Sequence, residues 1–161
     1  MDHTHLLFNI IKGDIIKMII KMKNSVLDGY IVFLSDLKLK AKDSRMRTRF
    51  IKILQDKLEL LVKEEDTLKK EHAKIDENGD IIYNETKMPD GENVKGFMVK
   101  NIEKYNADLS ELLNEDFVIE INEERLEMIE TVKEAVFNYD LELSGKEASI
   151  YDSLCTMLED N

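Results

Sequence analysis

Apolar residues along this chain recur at helical spacing in five stretches and alternate in short stretches between them. Residues 18–24, MIIKMKN, place Met18, Ile20 and Met22 on one side and Ile19, Lys21 and Lys23 on the other. That is the pattern of a half-buried strand over 18–23. Leu27, Tyr30, Ile31 and Leu34 then make an apolar stripe, with Ser25 as the expected N-cap and Asp28 in the first turn. LKLKAKD reads as the following loop. Ser44 is expected to cap a long helix reaching to about Ile75. Along it Ile51, Leu54, Leu58, Leu61, Glu65, Leu68, His72 and Ile75 alternate spacings of three and four. Such a helix spans roughly 46 Å. Its seam fits either a helix inside a bundle or an intermolecular coiled coil, the second weakened by the polar Glu65 and His72.

Asp76-Glu77-Asn78-Gly79-Asp80 predicts a turn into a short strand at about 81–83. Residues 84–96 hold the only Pro and two Gly, and predict a mobile loop. A helix over about 97–113 would carry Met98, Ile102, Tyr105, Leu109 and Leu112 on one stripe. Phe117–Ile121 reads as a buried strand. Asn122 caps a further helix with Leu126, Ile129, Val132, Val136 and Tyr139 inward. Ser144 and Glu147 form a capping box opening a last helix through Ile150, Tyr151, Leu154, Met157 and Leu158. The expected fold is therefore mainly α, or α+β. It has four to five helices, including the long one over about 44–75, with a small two- or three-stranded sheet. Residues 18–161 form a single globular domain, and 1–17 are an N-terminal extension.

Composition supports this picture. The chain has 161 residues, 43% hydrophobic and 35% charged, so a core is available and the helices must have wide polar faces. Cys155 is the only cysteine, which excludes a disulfide framework and a cysteine metal site and fits a reducing compartment. The apolar run Leu6–Ile20 is interrupted by Lys12, Asp14 and Lys17, too charged and short to cross a bilayer. A secretory leader is not expected, and a cytoplasmic protein is.

Charge is unevenly placed. Residues 38–52, KLKAKDSRMRTRFIK, carry Lys38, Lys40, Lys42, Arg45, Arg47, Arg49 and Lys52 against one acid, Asp43, and sum to +6. The whole chain sums to −11, so the remainder sums to −17. This basic island is the candidate interaction surface, facing an anionic partner or the protein's own acidic stretch 103–130. On a helix Arg45, Arg49 and Lys52 share one face. Interleaved aromatics that would stack on bases are missing, so protein carboxylates are the favoured partner over nucleic acid.

Other candidates carry less. Asp76-x-Asn78-x-Asp80 begins like a calcium loop, but Ile81 stands where the glycine belongs and Lys87 where the bidentate Glu belongs, so a turn is expected. His3 and His5 lack further ligands of matching spacing. His72 lies on the seam of the long helix and reads as a packed histidine, and Cys155 as a small core hydrophobe. No Gly-rich phosphate loop, G-x-S-x-G or H-E-x-x-H occurs. Neither a cofactor nor a catalytic set is expected.

Three patterns carry a resemblance: S-R-x-R-T-x-F-I-x-x-L over 44–54, D-E-N-G over 76–79, and E-L-S-G-x-x-A-x-x-Y-D-x-L-C over 142–155. With their flanks they cover most of 18–160. They resemble an uncharacterised family of short phage and prophage proteins of Gram-positive bacteria. The resemblance implies a late-gene neighbourhood near tail and lysis genes, but no activity. It also implies a start like MIIKMKN, so residues 1–17 are either an artefact of an upstream start codon or an added helix. The expectation is a non-enzymatic phage accessory or small structural protein acting by protein–protein contact, with a phage or host partner or with itself. It would act in the host cytoplasm or in the virion, away from membranes. Its rivals are an acidic host-directed inhibitor that mimics nucleic acid, and a nucleic-acid binder using 38–52.

Overall fold

A computed structural model describes residues 18–160. The described chain is α+β, with five helices and two small antiparallel sheets. Strand β1 (Met18–Lys23) leads through a 3-10 turn (Asn24–Val26) into helix α1 (Leu27–Asp36). Helix α2 runs Ala41–His72, strands β2 (Tyr83–Lys87) and β3 (Asn93–Phe97) form a hairpin, and helix α3 is Ile102–Asn114. Strand β4 (Asp116–Ile121) precedes helices α4 (Glu123–Phe137) and α5 (Gly145–Glu159). The expected extension 1–17 lies outside the described residues.

The first sheet closes the chain over a long separation. β1 pairs antiparallel with β4, from Met18 opposite Ile121 to Lys23 opposite Asp116. Alternation then sorts the residues as the sequence requires: Ile20, Met22, Ile119 and Ile121 are buried, and Ile19, Lys21 and Val118 lie outside. Helices α1, α2, α4 and α5 pack around that inner face. Phe50, Leu54, Leu27, Leu34, Ile129, Val132, Val136, Leu154 and Leu158 are all fully buried there. Phe33, Tyr139 and Tyr151 stack into one aromatic cluster, with ring centroids 5.3 to 5.9 Å apart. Burying such side chains stabilises the fold by about 1.5–3 kcal/mol each.

The long helix is a bundle helix. Its seam residues Ile51, Leu54, Leu61 and His72 are buried against the chain's own α1, α3 and α4. It starts and ends earlier than expected. The start is Ala41 because Lys40 is extended and its carbonyl already accepts from Ser44 N at 2.8 Å. The Ser44 hydroxyl, read as the cap, instead accepts from Arg47 at 2.9 Å. The end is His72 because Ala73 turns extended and strand-type pairing takes over: Lys74 N donates to Met98 O at 2.7 Å and Ile82 N to Lys74 O at 2.9 Å.

Other boundaries also shift. Val26, not Ser25, precedes α1, because Asn24 is held in the turn by Glu115 O at 3.0 Å and Leu112 O at 2.8 Å. Ile81 makes only a bridge to Ile75, and the strand proper begins at Tyr83. Residues 84–96, read as a loop, are most of the β2–β3 hairpin. Pro89-Asp90-Gly91 makes its turn, with Gly91 at φ 90° and Met88 N bonded to Glu92 O at 2.8 Å. Consequently the third helix begins at Ile102, where the Asn101 side chain accepts from Lys104 N at 2.9 Å. Asn122 caps α4 in the same way, at 3.1 Å from Arg125 N. Ser144 occupies the N-cap of α5 but makes no side-chain cap bond, and Gly145 follows at φ 54°.

Candidate interaction surface

The basic island divides once folded. Arg47 turns inward: its Nη1 donates to the carbonyls of Leu34, Ser35 and Leu37 at 2.7, 2.9 and 3.1 Å. Those are the open carbonyls at the end of α1, where a cation also meets the negative end of the helix dipole. Arg47 therefore locks α1 to α2 and is not a docking residue. Lys42 pairs with Glu127 of α4 at 2.8 Å. That hydrogen bond and charge, with a smaller contribution from Arg49, hold the Glu127 carboxyl below its ordinary value, and they raise Lys42. Lys52 pairs with Asp56 one turn on, at 2.8 Å. Arg49 lies 3.7 Å from Met46 Sδ.

Lys38, Lys40 and Arg45 remain exposed and form no ion pair among the described residues. Lys38 and Lys40 line an open groove of about 650 Å³ between the α1–α2 connection and the end of α4. Asp36, Asp43, Glu134 and Asp140 line it too, so its charge is mixed rather than basic. Arg45, Arg49 and Lys52 share the solvent face of α2, as the spacing requires. The acidic stretch that the island was set against supplies one ion pair to it, through Glu127.

The remaining candidates resolve into structural roles. Asp76 Oδ1 accepts from Asn78 N at 2.8 Å and Asp80 N at 3.0 Å, which makes the turn. His72 is buried and hydrogen-bonded to Asp108 at 2.8 Å. Burial pushes the Cys155 thiol up, away from a reactive thiolate. No group of three His, Cys, Asp or Glu among the described residues is arranged to hold a metal ion. His3 and His5 lie outside those residues. No described helix is long and apolar enough to cross a membrane.

Sequence reasoning missed a second surface at the far end of α2. There the hairpin and α3 stand on the last turns of the helix. β2 is exposed along its whole length, and α3 has no buried residue although its apolar residues fall on one stripe. Ile75, Tyr83, Met88, Val94 and Ile102 are each 42–57% exposed. The signal for the hairpin was present: Pro-Asp-Gly flanked by Tyr83, Thr86, Val94 and Phe97 is a turn between strand formers. Scans against family models, curated proteins and solved structures found nothing similar to the chain.

Proposed function

We propose that the protein is a non-enzymatic interaction protein, working by protein–protein contact through the far end of α2. The observation that carries this is the set of exposed apolar side chains Ile75, Tyr83, Met88, Val94 and Ile102 on the hairpin, its approach and the start of α3, in a chain that is 35% charged. Apolar side chains that no element covers mark a contact surface more specifically than surface charge does. The sequence resemblance to phage and prophage proteins supports a phage accessory or small structural component as the setting we propose, in the host cytoplasm or the virion. The nucleic-acid reading loses support because Arg47, Lys42 and Lys52 are engaged within the chain.

Site-specific photocrosslinking in the native host tests it. A crosslinker at Ile102 should give discrete adducts, and one at the exposed Glu142 should not. Equal adducts at both positions, or none at Ile102, count against the far end as the contact. Mass spectrometry of purified particles tests the structural role, and consistent absence from them counts against it.

A further inference from the structure

Asn78 is the one asparagine in the chain that precedes a glycine. The pair stands in the turn between the end of α2 and the hairpin, and residues 76–80 are all exposed. Gly79 has φ 87°, and a Cβ built on it meets nothing within 4 Å. No side chain therefore shields the Asn78–Gly79 peptide. Asparagine is chemically labile, and a following glycine removes the steric barrier to attack by the next backbone nitrogen.

We propose that Asn78 is a deamidation site, and that its conversion loosens the hairpin from the end of α2. This goes beyond the protein-contact reading and does not depend on it. The Gly79 amide nitrogen loses its proton to solvent base and attacks Asn78 Cγ. The Cγ–Nδ2 bond breaks, and the side-chain nitrogen takes a proton from water and leaves as ammonia, closing a succinimide ring. Water then opens either carbonyl of the ring, giving aspartate or isoaspartate and one new carboxylate. Asp90 before Gly91 shares an open turn, but its carboxyl would have to expel water, a poorer leaving step. Asn84 and Asn93 are exposed too, but Glu85 and Val94 follow them.

The turn sets the rate. Gly79 N donates to Asp76 O at 3.1 Å, so the attacking nitrogen is tied down. Asp76 Oδ1 accepts from Asn78 N at 2.8 Å and from Asp80 N at 3.0 Å, and Asp76 N donates to Asp80 O at 2.9 Å. Attack needs the Gly79 N–H released, so Asp76 is a positioning residue that slows it. The same bonds give the consequence. Isoaspartate routes the main chain through the side-chain carbon and lengthens the turn between Asp76 and Asp80. These bonds cannot all close on the longer turn, and a new negative charge appears beside Asp76, Glu77 and Asp80. The Ile75–Ile81 bridge and the bond from Ile82 N to Lys74 O, at 2.9 Å, then lose the turn that holds them in register.

Incubation of the full chain at mildly alkaline pH, followed by peptide mapping and isoaspartyl methyltransferase labelling, tests this. Asn78 should convert before Asn84 and Asn93, chiefly to isoaspartate. Ion exchange should show a more acidic species that Asn78→Gln does not form. Asp76→Ala should convert several-fold faster. Amide exchange in the aged wild type should rise at Ile82 and Met98 and stay unchanged in α4 and α5. Asn78 left intact, or converted only after Asn84 or Asn93, overturns the site. Aged protein that exchanges like fresh protein overturns the effect on the hairpin, and an Asp76→Ala rate equal to wild type overturns the clamp.

Discussion

His72 Nε2 and Asp108 Oδ2 lie 2.8 Å apart and join the last residue of α2 to the middle of α3. The imidazole is buried and Tyr105 packs on it edge-on, with ring centroids 5.7 Å apart. α3 has no fully buried residue, and this bond joins the half-buried Tyr105, Leu112 and Leu113 and the Asn24–Leu112 hydrogen bond in seating it. A double-mutant cycle with His72→Ala and Asp108→Ala should give a coupling of about 1 kcal/mol. Amide exchange should rise in α3 and the hairpin and stay unchanged in α4 and α5. Uniform loosening of all helices would show that the pair is not local to α3.

Arg47 matters to stability, not to docking. Arg47→Ala removes its three hydrogen bonds to carbonyls at the end of α1, leaving Leu34 O only the long bond from Leu37 N, and should cost about 2 kcal/mol in chemical unfolding. Arg47→Lys should recover little of it, since an ammonium cannot reproduce the fork. Arg45→Ala, on the exposed face, should stay within about 0.5 kcal/mol of wild type. Equal costs for the two arginines would contradict the division of the island.

Acid should weaken the protein through three carboxylates held low by lysines, Asp66, Asp116 and Glu127. Asp116 is held below its ordinary value of 3.8 by hydrogen bonds first from Lys21, then from Lys23, and Glu127 below 4.5 by Lys42. A folded-state value below the unfolded one gives stability that is present above the ordinary value. It is lost as pH falls through the folded one. Stability should therefore hold steady from neutrality to near pH 4.5, and drop below it. Asp116→Asn should flatten part of that acid limb. An unchanged limb in this variant would contradict the pairing.

Gly29 of α1 packs against Ile150 of α5. A Cβ there would meet Ile150 Cγ1 at 3.3 Å and Cδ1 at 3.2 Å. Those atoms end a side chain that can shift, so Gly29→Ala should fall within about 1 kcal/mol of wild type, helix propensity offsetting the crowding. Gly29→Leu should cost about 2 kcal/mol by thermal melting, because the helices must separate. A neutral Gly29→Leu would show that α5 is loosely seated.

The main elements were legible in the sequence where period and burial agreed. The β1 and β4 alternation, the α2 seam and the α4 and α5 stripes all point inward as their spacing requires. Boundaries failed where local chemistry had a tertiary rival. Ser44 lost its capping role to Arg47, and the helical pattern to Ile75 lost to strand pairing by Ala73 and Lys74. The hairpin was hidden because nearly all its positions are exposed, so its strands lack the apolar–polar alternation by which a half-buried strand is recognised. The basic island was legible as charge, but its division was not. Which arginine turns inward depends on where α1 ends against α2, and no local pattern encodes that.

Crosslinking from the exposed apolar positions tests the central claim most directly. With a photoreactive residue at Ile102 in the native host, we expect discrete protein adducts that weaken when Val94→Lys is added, and none from the same residue at Glu142. Adducts equal at Ile102 and Glu142, or none at Ile102, would contradict a protein contact at the far end of α2.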